Sequence, residues 1–147
     1  METNTKYFGT LPYTEDEIIT FENGIFGFEE NKKYLLIRFE ENNAGLLCLQ
    51  NLEDTELAFT VANPFVFLPE YAPMVAQADL DKIGNPPVSN LVFYNTCVIA
   101  ENIQESTVNL RCPFVINGET KQAVQVILED NSYAFKQLFY ELLNKEN

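Results

Sequence analysis

Residues 107–128 read TVNLRCPFVINGETKQAVQVIL, and their pattern predicts a β-hairpin. The apolar side chains of its first strand fall on alternate positions: Val108, Leu110, Cys112, Phe114 and Ile116. A period of two is typical of a strand with one buried face. Asn117 and Gly118 tolerate positive φ at both central positions of a tight turn, so they predict a two-residue reversal after this strand.

The return strand of this hairpin is predicted over residues 120–128. Val124, Val126 and Leu128 share one of its faces, while Lys121 and Gln125 point away. A lone hairpin is not stable in water and needs further strands or a helix over its apolar face. The chain is therefore predicted to build a sheet around this hairpin.

Further strands are predicted along the rest of the chain. They span residues 6–13, 18–21, 34–40, 46–52, 57–62 and 91–100. With the hairpin this makes about eight strands at the spacing of a barrel or sandwich. The fold class predicted is all-β and mainly antiparallel: a small β-barrel-like domain with short helical inserts. With 147 residues, 46% of them apolar, and no break in composition, we expect one domain over residues 1–147.

The segments between these strands carry turn and helix signals. Residues 24–29 place two glycines around bulky apolar residues and lack the Lys and Ser/Thr of a phosphate loop, so they predict a tight reversal. Residues 41–45 predict a hairpin connection. Short helical turns are expected at residues 29–33 and 78–83.

The C-terminal segment predicts an amphipathic helix over residues 133–144. Its apolar side chains have helical spacing: Phe135, Leu138, Phe139, Leu142 and Leu143. This stripe either packs on the barrel or docks a partner. Packing on the barrel is favoured, because an exposed stripe of Phe and Leu promotes aggregation.

The three cysteines favour buried free thiols over a metal site. Cys48, Cys97 and Cys112 lie far apart inside apolar segments, and free Cys packs like a small hydrophobe. The chain has no His, so a zinc site would need carboxylates to complete its ligands. No metal or cofactor is expected.

The net charge of −13 sets the class of partner. Nucleic-acid binding depends on Lys and Arg releasing counterions, and only 9 basic residues are present, so direct RNA or DNA binding is not expected. The same charge would attract a basic protein. No apolar run is long enough for a membrane span and no leader pattern is visible, so a cytoplasmic protein is expected.

Catalytic constellations are not found in the sequence. Without His, the usual triads and the commonest general base are missing. Adjacent carboxylates occur, such as Glu15 with Glu17 and Glu53 with Asp54, but in polar loops where water keeps both ionised. An enzyme is therefore not expected.

Residues 65–71, FVFLPEY, form an aromatic segment bracketed by prolines. Two interpretations remain open for it. It is either a loop tucked over the end of a barrel or a projecting apolar anchor for a partner, since the centres of interfaces favour Phe and Tyr.

Three blocks of the sequence resemble the bacterial flagellar assembly factor FliW family. They are residues 21–29 with their GIFGFE core, the segment from Asn63-Pro64-Phe65 to Glu70-Tyr71, and residues 107–128. The resemblance covers nearly the whole chain, with the blocks in the family's order.

The resemblance implies a small β-barrel-like protein without catalytic activity. FliW proteins bind the translational regulator CsrA, which represses flagellin messenger RNA, and they also bind flagellin, so that new flagellin competes for FliW and frees CsrA. An acidic protein suits the basic surface of such a regulator. Charge leaves open whether the RNA surface is covered directly, and the resemblance implies an allosteric contact beside it.

Two hypotheses follow from the sequence. The first is a binding protein, expected to be a monomer when free, that switches between these partners through six residues: Phe65, Phe67, Glu70 and Tyr71, assisted by Asp79 and Asp81. The second is a barrel that binds a small ligand, or a hydrolase with a carboxylate pair. It requires a deep internal pocket instead of a filled core.

Overall fold

The computed structural model describes residues 1–39 and 45–144. Within these ranges lie eleven strands and three α-helices. The strands are β1 (Glu2–Asn4), β2 (Thr10–Pro12), β3 (Ile19–Phe21), β4 (Lys33–Arg38), β5 (Leu46–Asn51), β6 (Ala58–Ala62), β7 (Leu91–Val98), β8 (Thr107–Val108), β9 (Phe114–Asn117), β10 (Gln122–Gln125) and β11 (Gln137–Leu138). The helices are α1 (Pro64–Phe67), α2 (Gln77–Lys82) and α3 (Phe139–Asn144).

Seven of these strands close into a barrel. Their order is β7-β6-β5-β4-β3-β10-β9, and β9 pairs back onto β7. The pairings are antiparallel except for β3 with β10, which is parallel. Closure leaves the barrel strands no long unpaired edge. The predicted β-barrel-like, mainly antiparallel fold is confirmed.

Side chains from all seven strands fill the barrel interior. The buried cluster contains Ile19, Phe21, Ile25, Tyr34, Leu49, Val61, Phe114, Ile116 and Ala123, with Leu36, Leu47, Phe59 and Tyr94 partly buried against it. Its aromatic rings meet edge-on, with Phe21 lying 5.5 Å from Tyr34 and 5.1 Å from Phe114 between centroids. The core is therefore packed, unlike the deep pocket that a small-ligand barrel requires.

A second apolar cluster covers the outer face of β7, β9 and β10. Leu91, Phe93, Val115 and Val124 contribute from the strands. Leu68, Tyr71, Ile83 and Leu142 come from the segments that lie over them. Strands β9 and β7 are thus packed on both faces, because helices and loops wrap one side of the barrel.

A three-residue register shift interrupts the first strand of the predicted hairpin. Val108 pairs with Cys97. Continued in that register, Phe114 would pair with Leu91, but it pairs with Tyr94. Because side chains alternate, an odd shift moves all later residues to the opposite face. Val108 and Leu110 therefore lie in the outer cluster, and Phe114 and Ile116 lie in the barrel interior. The prediction that they share one face is wrong.

The connection between β9 and β10 also differs from the prediction. Positive φ occurs at Lys121 (66°) and not at Gly118, and the N–H of Lys121 donates to the carbonyl of Asn117 at 2.8 Å. The side chain of Asn117 accepts from the N–H groups of Glu119 and Thr120 and donates to the carbonyl of Ile83. The two-residue turn is wrong because Asn117 caps a longer loop and ties it to the end of α2.

Two predictions near the N-terminus are wrong as well. Residues 6–13 do not form one strand, since β1 and β2 make a separate hairpin around Gly9, where φ is 67°. The N–H of Lys6 donates to the Gln50 side chain at 2.9 Å and docks this hairpin on β5. Residues 29 and 30 form a turn, and β4 begins at Lys33, so no helix forms there.

The C-terminal helix is shorter than predicted. Residues 133–136 are not helical, and β11 pairs with the edge of β8 before α3 begins at Phe139. Pairing to an open strand edge thus outweighs the helical spacing of this segment. Phe139 and Leu142 pack on the outer cluster, as expected for a tail that covers its own barrel.

The return strand predicted over residues 120–128 is shorter, since β10 spans Gln122–Gln125, and most of the remaining predicted elements are confirmed. Strands lie within or close to the predicted spans at 18–21, 34–40, 46–52, 57–62 and 91–100, and α2 matches the helix at 78–83. Val124, Val126 and Leu128 lie in one cluster, as predicted. The connection predicted at residues 41–45 lies outside the described residues except for Gly45.

Replacing Gly24 with Ala should destabilise the fold strongly. Its φ is 69°, and an added Cβ would lie 2.4 Å from the Cα of Glu29. Gly27→Ala is the matched control, because Gly27 lies in the same loop at φ 88° with open space around it. We expect a loss of about 1–2 kcal/mol for the control and clearly more for Gly24→Ala, measured by urea denaturation. Equal losses would contradict the steric argument.

Candidate partner-binding site

Two local features fix the start of helix α1, whose side chains face solvent at Phe65 and Val66. The Asn63 side chain accepts a hydrogen bond from the N–H of Phe65 at 3.0 Å, and buried Pro64 occupies the first helical position. The helix is a single turn and presents Phe65 and Val66 to solvent, 39% and 56% exposed.

Phe65 is held from below by two rings. Its centroid lies 5.9 Å from Phe93 on β7 and 5.9 Å from Tyr71. Tyr71 in turn lies 4.8 Å from Tyr133. Phe65 is therefore partly exposed and already oriented, which lowers the side-chain entropy lost when such a ring contacts a partner.

Phe67 lies on the other side of the turn and contacts the C-terminal segment. Its ring centroid is 5.0 Å from that of Phe139, and it packs against the outer cluster. Phe67 therefore links α1 to α3 and is less accessible than Phe65.

Tyr71 lies in the core. It is 4% exposed, and its hydroxyl donates to the carbonyl of Leu110 at 2.6 Å. Burial raises the pKa of Tyr71 to about 12, while the hydrogen bond to Asn95 opposes this shift. In this structure Tyr71 has almost no surface for a direct partner contact, and it instead anchors the loop that follows α1.

Asn95 joins Tyr71 to the register shift between β8 and β9. It is fully buried, and its Nδ2 donates to the carbonyl of Asn109 at 2.8 Å and to the Tyr71 hydroxyl at 3.3 Å. Asn109 Oδ1 accepts from the N–H groups of Arg111 and Cys112. The carbonyls of Asn109 and Leu110, in the irregular segment between β8 and β9, thus accept hydrogen bonds from the side chains of Asn95 and Tyr71. The sequence contains no local signal for this network.

The carboxylates of the predicted site fall into two places. Glu70 is exposed beside α1. Asp79 and Asp81 lie on α2, where Asp79 lies 3.5 Å from Lys82 Nζ and Asp81 accepts from Gln77 at 2.9 Å. Helix α1 contacts β7 whereas α2 contacts β10, so β9 separates the two groups.

The cysteines have the environment of inert thiols. All three are free; Cys48 and Cys112 are buried and Cys97 is partly buried. Burial raises the pKa of Cys48 to about 11 and that of Cys97 to about 12, and it raises the pKa of Cys112 as well. Raised values keep the thiols protonated and unreactive near neutral pH. The prediction of buried free thiols is confirmed at Cys48 and Cys112.

One carboxylate of each pair noted in the sequence accepts a hydrogen bond from a backbone N–H group. Glu17 accepts from the N–H of Thr14 at 2.9 Å, and Glu53 accepts from the N–H of Lys32 at 3.1 Å. Both are exposed. Across residues 1–39 and 45–144, no group of three His, Cys, Asp or Glu is placed to hold a metal ion.

Comparison with known proteins places the chain in a family. The profile described as "FliW protein" matches residues 2–139. The chain belongs to the FliW family. The resemblance identified from the three sequence blocks is thereby confirmed.

Relatives in the FliW family cover nearly the whole chain. The flagellar assembly factor FliW of Caldanaerobacter subterraneus subsp. tengcongensis is 38% identical over 143 residues, which is 97% of this chain and 95% of that protein. The flagellar assembly factor FliW of Thermotoga neapolitana is 38% identical over 138 residues, covering 93% and 92% of the two chains.

A solved FliW structure has the same fold. The chain superposes on a crystal structure of the flagellar assembly factor FliW with a TM-score of 0.88 at 28% identity, covering 95% of this chain and 97% of that one. Among the helices described in this chain, none is long and apolar enough to cross a membrane.

Tyr71→Phe should destabilise the protein by about 1–3 kcal/mol, because it leaves the buried carbonyl of Leu110 without its donor. Tyr133→Phe is the matched control. It removes only an acceptor for the N–H of Ala72 near the surface, so a smaller loss is expected. Urea denaturation measures both, and a larger loss in the control would show that the Tyr71 hydroxyl does not hold the loop.

The folded protein should resist thiol modification. At pH ~8, Cys48 should react with Ellman's reagent on the order of a hundredfold more slowly than in urea, since a raised pKa lowers the thiolate fraction.

The raised thiol pKa also determines how the free energy of unfolding changes with pH. A thiol with a raised folded pKa contributes fully below its unfolded value near 9, and that contribution is lost as pH rises through about 11. Fast reaction of Cys48 in the native protein at neutral pH would contradict the raised thiol pKa.

Proposed function

We propose that this chain is a non-enzymatic flagellar assembly factor that binds a CsrA-type translational regulator and flagellin in turn. Membership of the FliW family over residues 2–139 carries the proposal. Relatives bearing the name flagellar assembly factor match 97% and 93% of the chain. In this proposal flagellin and the regulator compete for the chain, so unsecreted flagellin releases the regulator to repress flagellin synthesis.

The surface properties support a basic protein partner. The net charge is −13, which favours association with a cationic protein and disfavours direct contact with nucleic acid. We place the chain in the cytoplasm, as a monomer when free, and treat residues 1–147 as a single domain. Two observations favour one folding unit. Strand β7 contributes to both core clusters, and the segment after residue 133 packs back on the outer cluster.

The proposed contact centres on α1. Phe65 supplies a partly exposed ring fixed by Phe93 and Tyr71, and Val66 extends the apolar surface. Glu70 supplies a carboxylate beside them. Such a combination of an apolar centre with peripheral charge is typical of binding hot spots. Phe67 and Tyr71 are assigned the role of supporting this surface from below.

Asp79 and Asp81 take a peripheral role in the proposal. They lie on α2, two strands from α1, and both have polar neighbours on their own helix. Exposed charges at the rim change the association rate and its salt dependence more than the final affinity. Their effect should therefore disappear at high ionic strength.

Calorimetric titration of a purified CsrA-type regulator tests the α1 surface. Phe65→Ala should weaken binding by at least about tenfold, or ~1.4 kcal/mol, because truncation of a central aromatic anchor is costly. Glu70→Lys should also weaken binding, and more so at low salt. Phe26→Ala is the matched control: its ring is 49% exposed and lies on a different loop, so binding should be unchanged.

The outcome that contradicts this placement is specific. Phe65→Ala and Glu70→Lys proteins that keep the parent's circular dichroism spectrum and bind the regulator as tightly as the parent would exclude α1. The partner switch is tested separately by adding flagellin to the preformed complex. If flagellin joins the complex without displacing the regulator, competition is wrong even where both proteins bind.

A further inference from the structure

The two ends of the barrel are closed differently. At one end the loop after β3 folds inward: Ile25 is 2% exposed, and the ring of Phe28 lies 5.4 Å from that of Phe59. The other end is formed by the starts of β3, β5, β7 and β10 and the ends of β4, β6 and β9. We call this second end the barrel mouth.

Two clefts meet at the barrel mouth. One has a volume of about 460 Å³ and the other about 560 Å³, both within the range of ligand-binding clefts. Leu36 and Tyr94 line both, so the clefts share an apolar floor. Val92, 36% exposed, extends this floor along β7.

The charges around the mouth are distributed unevenly. Asp16, Glu17 and Glu119 border the larger cleft. Among the described residues that line it, the one cation is Lys121, whose Nζ donates to the carbonyl of Gly118 at 3.2 Å. Among the described residues that line the smaller cleft, Arg38 is the charged one. The side of the mouth at β3 and β10 is therefore negative.

We propose that the barrel mouth binds an extended segment of a partner protein in which one large apolar side chain lies next to lysine or arginine. The apolar side chain lies over Leu36 and Tyr94. The basic residues face Asp16, Glu17 and Glu119. This site does not depend on the proposed function, although Val66 of α1 borders the smaller cleft.

Charge complementarity distinguishes this occupant from the alternatives. Nucleic acid and membranes rich in anionic lipid would meet three carboxylates at the rim. A second copy of the chain would bring another net charge of −13 to the same place. A segment with lysine or arginine beside a large apolar residue matches the carboxylates of the larger cleft and buries its apolar floor.

Selection from a random linear-peptide phage library on the full chain, with an unrelated acidic protein as counter-target, tests the proposal. Enriched peptides should contain a large apolar residue next to Lys or Arg. Synthesised with a fluorescein label, they should bind the parent in fluorescence anisotropy. They should bind an Asp16→Lys, Glu119→Lys double variant at least about tenfold more weakly. Both positions are exposed, and circular dichroism verifies that the double variant is folded.

Matched variants distinguish the mouth from the α1 surface. Phe65→Ala should leave peptide binding within about twofold of the parent, whereas Tyr94→Ala should weaken it.

Three outcomes would overturn the proposal. The first is no enrichment over the counter-target. The second is binding that is lost in Phe65→Ala and kept in the double variant, which would assign the peptides to α1. The third is a concentration-dependent dimer in sedimentation that the double variant abolishes, which would assign the mouth to a second copy. A failure of the CsrA or flagellin titrations leaves this result unaffected.

Discussion

Much of this structure depends on two backbone carbonyl groups between β8 and β9, those of Asn109 and Leu110, which accept hydrogen bonds from distant side chains. The chain runs along β7 in two registers, and residues 109–113 bridge them. The N–H groups of Val126 and Leu128 donate to the carbonyls of Pro113 and Arg111, but among the described residues no backbone donor reaches the carbonyls of Asn109 and Leu110. Buried carbonyls without donors are costly, so donors must come from elsewhere. Asn95 from β7 and Tyr71 from the loop after α1 supply them. The loop after α1, next to the candidate site, is therefore held in place by the hydrogen bond that Tyr71 donates to the irregular segment between β8 and β9.

This arrangement explains how one small domain has two packed cores. The odd shift turns Phe114 and Ile116 into the barrel while Val108 and Leu110 remain outside it. The outer residues then need cover, which α1, α2 and the C-terminal segment provide. Covering segments of this kind place short, partly exposed turns on the surface. Phe65 and Val66 are exposed on one of them because the residues around them, Pro64 and Leu68, are buried.

The predictions from sequence succeeded where a pattern reports local geometry. Alternation located most strands, and Gly24 marked a reversal that needs positive φ. They failed where contacts from distant residues decide the outcome. Asn117 predicted a tight turn, but its side chain bonds Ile83 instead. The helical spacing after Tyr133 was outweighed by pairing with β8.

The same division applies to the candidate site. The aromatic segment and its acidic neighbours are visible in the sequence, yet their exposure is not. Phe65 and Tyr71 are both aromatic and lie close in the chain, but the first is 39% exposed and the second 4%. The barrel mouth has no sequence signal, because Leu36 and Tyr94 are separated along the chain and meet only when the barrel closes.

The amino-acid sequence by itself determined the class of fold, the acidic surface, the lack of histidine chemistry and the family resemblance, because composition and short-range period are properties of the chain alone. Tertiary structure alone decided which face each half of the broken strand buries, which aromatic rings reach solvent and where the clefts lie. These depend on hydrogen-bond partners and packing neighbours far apart in the sequence, which no local pattern encodes.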